Sequence, residues 1–356
     1  MWCDFNSALL VDGYKTGHGP MYPTGTTFVY SNLTPRSNKY APKGCEVLLN
    51  VGQQKLIRSL HEHWKKNFFD QPKEQVVSEM VFELTLYLGS PQSASHYGDL
   101  HDLGYLPIEI KALKEGTLVP MKIPVFTICN TQPMSTVIFH WITNYLETIL
   151  STESWLMPTS ATTALQFRRI LHKACKMTNP EAIDFVKWQG HDFSMRGMGG
   201  LDAAISSGLG HAFVFYGSDT LPVIPAARKF YDAKDFVIGS VTATEHSVMC
   251  AGGKEDEIQT FLNLMRKFPA GILSIVSDTW DLWNVCTNTV RILKSTIMRR
   301  GLYQGVVNTY TAQESYDENW NLLETYYLDQ NGQRYEENFM IEALLNKTVV
   351  YTPGKV

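Results

Sequence analysis

Apolar residues recur every four positions at Leu56, Leu60, Trp64 and Phe68, which predicts an amphipathic helix over 51–68. A second stripe runs through Val77, Met80, Val81, Leu84 and Leu88. The period then shortens. Ile108, Ile110 and Ala112 alternate with charged residues, and Val125, Thr127 and Cys129 follow after the Glu115-Gly116 turn and prolines 120 and 124. That texture predicts a small antiparallel β region between 105 and 130, and the β-branched and aromatic run at 26–31 predicts an earlier strand. Helices are expected again at 134–151 and 160–177, the latter with Thr159 and Ser160 as cap candidates.

From Val186 onward short apolar runs alternate with helical stripes. The runs are 212–215, 236–238 and 272–276, and the stripes lie at 222–232, at 255–268 (Ile258, Phe261, Leu262, Met265, Phe268) and from Asp278. Alternating βα units predict a parallel sheet or barrel, in which ligand residues lie just past the carboxyl ends of strands.

Composition narrows the partners. The chain has 356 residues, 44% hydrophobic and 19% charged, as expected for a folded globular protein with a sizeable core. A net charge of −4 with no polybasic run gives no drive toward nucleic acid or a membrane surface. The most apolar helical stretch, 137–150, is interrupted by His140, Asn144 and Glu147, so no membrane span is expected. Six scattered cysteines without a CxxC pair, and no signal-peptide pattern, point to the cytoplasm.

Candidate chemistry gathers in four predicted strand-end loops. They are 191–197 (His-Asp-Phe-Ser-Met-Arg-Gly), 217–220 (Gly-Ser-Asp-Thr), 239–247 around Glu245-His246, and 277–279 (Ser-Asp-Thr). The small residues before His246 leave room for a bulky group to approach the imidazole, although an isolated histidine is more often a core residue. Each neighbour also has a plainer reading: Asp278 as a helix cap, Asp219 as a turn residue, Phe193 as core, Arg196 as a solvated charge. Four such loops at successive βα junctions weigh more than any one alone.

These motifs also carry a resemblance. Asp12-Gly13-Tyr14-Lys15, Val29-Tyr30-Ser31 with Arg36, Leu106 to Lys111, His191-Asp192-Phe193 with Arg196-Gly197, Gly217 to Thr220, Glu245-His246-Ser247 and Ser277-Asp278 follow the order seen in nicotinamide phosphoribosyltransferases. The chain resembles that family, of the type II phosphoribosyltransferases, from residue 8 to about 288. The resemblance implies an α/β fold: an irregular β/α barrel, here incomplete, beside a mixed α+β N-terminal domain. The expected domains are 1–180, rejoined by a β-rich tail at 309–356, and a partial barrel at 181–308.

The implied reaction joins nicotinamide to the ribose of phosphoribosyl pyrophosphate, giving nicotinamide mononucleotide for NAD salvage, with Mg²⁺ and with turnover coupled to ATP. The implied assembly is a homodimer with sites at its interface. Phe193, with Tyr14 from the partner subunit, would sandwich the pyridine ring, and Asp219 would accept from the carboxamide and repel nicotinate. Arg196, Ser240, Ser274 and Arg36 would hold phosphate or amide oxygens. His246 would be the phosphorylated histidine, oriented by Asp278 and secondarily by Glu245.

The resemblance breaks after Asn288. Val306-Val307 is expected as a strand stub, but Asn308-Thr309-Tyr310 stands where the family has an Arg-Pro-Asp-Ser-Gly ribose loop. An internal block of the barrel is therefore expected to be absent. A second chain would then complete it, or the protein would bind ligands as a catalytically impaired remnant, or the gene is decayed or incompletely read. A nicotinate phosphoribosyltransferase is the alternative within the same chemistry.

Overall fold

A computed structural model of the chain describes residues 4–131 and 139–300, together with the backbone of three strands near the C-terminal end. The protein is mixed α/β and rich in helix, and its contacts divide it into two compact units, Met1–Ser240 and Val241–Val356.

The first unit begins with strands β1 (Tyr30–Leu33) and β2 (Val47–Asn50), then helices α1 (Gln53–Trp64), α2 (Lys73–Leu88) and α3 (Ser95–Leu103). Strands β3 (Ile108–Ala112), β4 (Thr117–Pro120) and β5 (Phe126–Asn130) follow. As the alternating pattern predicts, this region is antiparallel, with β5 central in the order β1-β5-β3 and β2 paired to β4. The first strand starts at Tyr30, later than the expected 26–31 run.

The four-residue stripe of α1 buries Leu56, Leu60 and Trp64, and a π turn carries it on to Phe68. In α2 the buried line is Val76, Met80 and Leu84. The expected stripe holds at Met80 and Leu84, while Val77 and Val81 are only half-buried, Leu88 is exposed at the end of the helix, and Val76 takes the first place on the seam. These helices share a core with Ile128, Phe139, Ile142 and Tyr145.

Helices α4 (Ile142–Glu153) and α5 (Leu156–Thr178) come next. The start of α5 corrects one expectation: Thr159 and Ser160 lie inside its first turns rather than capping it. Their hydroxyls bond the carbonyls of Trp155 and Ser207. Strand β6 (His191–Asp192), the short helix α6 (Ser194–Gly197), α7 (Leu201–Ala212), β7 (Gly217–Ser218) and α8 (Val223–Tyr231) complete the unit. Residues 212–215, expected as a strand, are instead the end of α7 and the turn after it, with Val214 and Phe215 buried. A four-residue apolar run fits either role, and α7 claims it by packing on α5. The two helices meet closely at Gly210, where a Cβ would lie 2.4 Å from the Met157 carbonyl.

The parallel pattern is present but short. His191 pairs with Gly217 and Asp192 with Ser218, and Gly217 bridges in parallel to Gly239. The 236–238 run is not itself a strand; the bridge falls on Gly239 just after it.

The second unit repeats the motif. Strand β8 (Thr242–Ala243) runs parallel to β9 (Leu273–Ser274), and between them lie α9 (His246–Gly252) and α10 (Glu257–Lys267). Phe261, Leu262 and Met265 of the expected stripe pack with Met249, Val285 and Leu293. Strands β10 (Thr311–Tyr316), β11 (Leu322–Leu328) and β12 (Arg334–Glu336) form an antiparallel sheet with Tyr327 opposite Tyr335, in keeping with the β-rich tail. The Val306-Val307 stub, the Asn308-Thr309-Tyr310 segment and the Asn331-Gly332 turn lie outside the described residues.

Candidate active site

In the first unit the parallel pair β6–β7 ends in a hydrogen-bonded hub. Asp192, nine-tenths buried, accepts at Oδ1 from the backbone and hydroxyl of Ser194, and at Oδ2 from Ser218 Oγ (3.0 Å) and Thr220 Oγ1 (2.6 Å). Its own carbonyl accepts from the Asp219 backbone N–H at 2.9 Å. One carboxylate thus ties the loop after β6 to the loop after β7. The sequence alone assigns no role to Asp192; an Asp with a hydroxyl residue two positions on, and a second loop carrying Ser218 and Thr220 two positions apart, is the usable signal.

The hub holds two exposed groups beside each other. Phe193 is 55% exposed, so it is not core, and its ring centroid lies 5.0 Å from that of His191. His191 Nε2 lies 3.0 Å from Asp219 Oδ2, so Asp219 has a side-chain role beyond shaping its turn. Arg196, on α6, is exposed; its backbone N–H donates to the Phe193 carbonyl, and its side chain makes no hydrogen bond or ion pair among the described residues. Behind this cluster His211 stacks on Phe215 and bonds the Gly217 carbonyl; burial pushes its pKa below the usual histidine value.

Tyr14 sits on a 3₁₀ turn and is 64% exposed. The turn is anchored by Lys15, which is buried and bonds the Asn144 carbonyl (2.7 Å) and Glu147 (2.9 Å). Arg36 is exposed on the rim of a cleft of about 420 Å³ whose wall includes Leu33, Val125 and Trp155. Ser240 is exposed immediately after the Gly239 bridge.

In the second unit the β8–β9 pair brings His246 and Asp278 together. The Thr244 backbone donates to the Ser274 carbonyl, and its hydroxyl accepts from the Val276 N–H, which locks the two loops (2.9 Å each). His246 opens α9 with Nε2 3.1 Å from Asp278 Oδ1, and both side chains are about three-fifths exposed. The helix-cap reading of Asp278 is therefore wrong: the following helix starts at Leu282 and is capped by Asp281, which accepts from the Asn284 N–H. Glu245, expected as a secondary orienter, turns its carboxylate to the Ser247 hydroxyl rather than to the imidazole. Ser274 is exposed at the end of β9.

Both constellations repeat one geometry. A histidine from one short parallel strand or its end meets an aspartate just past the next, which suits an imidazole held in a fixed tautomer.

Residues 188–312 match the model of the nicotinate phosphoribosyltransferase (NAPRTase) family. Over 296 residues the chain is 44% identical to the nicotinamide phosphoribosyltransferase of Acinetobacter baylyi, covering 82% of this chain and 58% of that protein. It is 32% identical over 305 residues to the nicotinamide phosphoribosyltransferase of Mycoplasma genitalium, covering 82% of this chain and 64% of that protein. The chain is a relative of the nicotinamide phosphoribosyltransferases. It spans about three-fifths of the length of these curated relatives. A crystal structure of human nicotinic acid phosphoribosyltransferase aligns with a TM-score of 0.48 and 17% identity, covering 82% of this chain and 59% of that one. The family match takes in all four strand-end loops, whereas Tyr14 and Arg36 lie before it.

Proposed function

We propose that the chain transfers the phosphoribosyl group of phosphoribosyl pyrophosphate to nicotinamide in NAD salvage. The observation that carries this reading is the pair of strand-end constellations, Asp219 held by His191 beside the exposed Phe193 and His246 with Asp278, inside a segment that matches the NAPRTase family model.

In the transfer, the pyridine nitrogen forms a bond to ribose C1 as the C1–O bond to diphosphate breaks, through an oxocarbenium-like state. Phe193, with Tyr14 of a second copy, stacks on the flat ring. Asp219 accepts from the carboxamide N–H, and its charge repels the carboxylate of nicotinate. Arg196, Ser240, Ser274 and Arg36 hold phosphate or amide oxygens; a guanidinium fork matches phosphate geometry.

Coupling to ATP runs through His246. With Nε2–H donated to Asp278, Nδ1 carries the lone pair and attacks the γ-phosphorus while the bond to the ADP oxygen breaks. Asp278 stabilises the positive charge that develops on the ring. Mg²⁺ in this reading accompanies the substrate phosphates.

We also infer a homodimer, because Tyr14 is exposed where a second copy can use it, and a cytoplasmic location. The five described cysteines are unpaired, and no described helix is long and apolar enough to cross a membrane. The domain division at 180/181 and the incomplete barrel belong to the same proposal.

Incubating the purified chain with nicotinamide, phosphoribosyl pyrophosphate, Mg²⁺ and ATP tests it. Nicotinamide mononucleotide is the expected product, with Asp219→Ala reducing the preference for amide over acid. Product from nicotinate alone selects the nicotinate enzyme. Phosphate on His246 without product selects the impaired remnant, and neither product nor phosphohistidine overturns the enzymatic reading.

A further inference from the structure

Asp219 has a fixed partner that the proposed chemistry leaves unused. His191 Nε2 lies 3.0 Å from Asp219 Oδ2, while the Asp219 backbone N–H is held by the Asp192 carbonyl. The residue is thus held at its backbone and at one carboxylate oxygen, and Oδ1 remains for a ligand.

The other nitrogen of His191 faces Gly217: a Cβ at 217 would lie 2.7 Å from Nδ1 and 2.8 Å from the Gly190 carbonyl. A side chain at 217 would displace the ring. Against an ionised carboxylate its Nε2 must carry the proton and donate it.

We propose that His191 is a positioning and specificity-determining residue: its Nε2–H fixes the orientation of the Asp219 carboxylate, so that the site takes an aromatic carboxamide over the matching carboxylic acid. This rests on the reading of Asp219 as the amide acceptor.

Two physical effects act together. The terminal torsion of an Asp side chain is broad and roughly two-fold, so a fixed donor on Oδ2 removes the competing orientations of Oδ1. The same orientation aims its negative charge at the place a nicotinate carboxylate would take. Removing the donor should therefore weaken the amide and relieve the penalty on the acid.

The test measures the dissociation constants of nicotinamide and nicotinate by calorimetry on the full chain. Wild type is compared with His191→Leu, His191→Gln and Asp219→Asn. His191→Leu should weaken nicotinamide about tenfold, the size expected for one charge-assisted hydrogen bond, and lower the amide-to-acid ratio by at least as much. His191→Gln, which keeps a donor at similar reach, should recover most of that ratio. Should the leucine variant not fold, His191→Asn serves, because its amide is too short to reach Asp219.

A ratio unchanged in the donor-less variants, with both ligands weakened alike, overturns the proposal. So does a loss in His191→Leu that persists unreduced in the Asp219→Asn background, since coupled residues must show non-additivity. Wild-type protein that prefers nicotinate or binds neither ligand instead overturns the underlying reading of Asp219.

Discussion

His246 presents Nε2 to Asp278 with both side chains open to solvent, so its other nitrogen is reachable. His96 is its opposite. The ring centroid lies 4.0 Å from that of Tyr97, 4.8 Å from Phe139 and 4.9 Å from Trp141, and Nε2 has no hydrogen-bond partner among the described residues. Burial pushes its pKa down to about 4 from the usual 6.5. The sign of the consequence follows from which state binds the proton first. Between pH 6.5 and 4 the unfolded chain protonates this histidine and the folded one does not, so the stability it supports is present above pH 6.5 and lost as pH falls. His140 and His211, also depressed by burial, act in the same direction. Denaturant unfolding should show about 2 kcal/mol less stability at pH 5 than at pH 7 from His96 alone. A His96→Phe variant should flatten that dependence, and an equally steep profile in the variant would refute the desolvation account.

At the scale of elements, what the sequence makes legible is what a long period writes. The α1 and α10 stripes emerge where the spacing puts them, because a helix of eleven or twelve residues repeats its apolar face three times. The parallel strands have only two residues each, too few for any alternation, so the apolar runs at 212–215 and 236–238 point to the wrong residues while the true strands begin at His191 and Gly217. Their register is set instead by polar contacts, which no hydropathy pattern encodes. Asp192 is the case in point, since a single carboxylate gathers four donors from three residues on two loops. The Asp278 and Asp281 pair makes the same point, because both are cap candidates by type and only the chain path decides that Asp281 caps and Asp278 meets His246. Asp192→Ala would leave these buried donors unpaired, and a loss of about 3 kcal/mol is expected. Hydrogen exchange should localise the loosening to the amides of 194–196 and 218–221. A uniform change spread over the whole chain would mean that the carboxylate does not organise those loops.

On the scale of the molecule, the proposed site residues divide between the two compact units. Tyr14, Arg36, Phe193, Arg196, Asp219 and Ser240 belong to Met1–Ser240, and Glu245, His246, Ser274 and Asp278 belong to Val241–Val356. The proposed nucleophile His246 and its proposed orienter Asp278 thus lie within one unit, and Phe193 and Asp219 with their Asp192 hub lie within the other. A chain spanning about three-fifths of its relatives thus carries both sets of proposed residues. Their separability is the expected outcome. Asp219→Ala should lose nicotinamide binding by calorimetry yet still take up labelled phosphate from ATP at His246. His246→Ala should lose the phosphate and keep nicotinamide within about threefold, since no proposed ligand contact in the first unit is removed. Asp278→Asn should slow phosphorylation by about a hundredfold, the scale at which a positioned base partner contributes, without affecting nicotinamide. If either histidine-pair substitution abolishes nicotinamide binding, or Asp219→Ala abolishes phosphorylation, the two constellations act as one indivisible site and the independence argued from the fold is wrong.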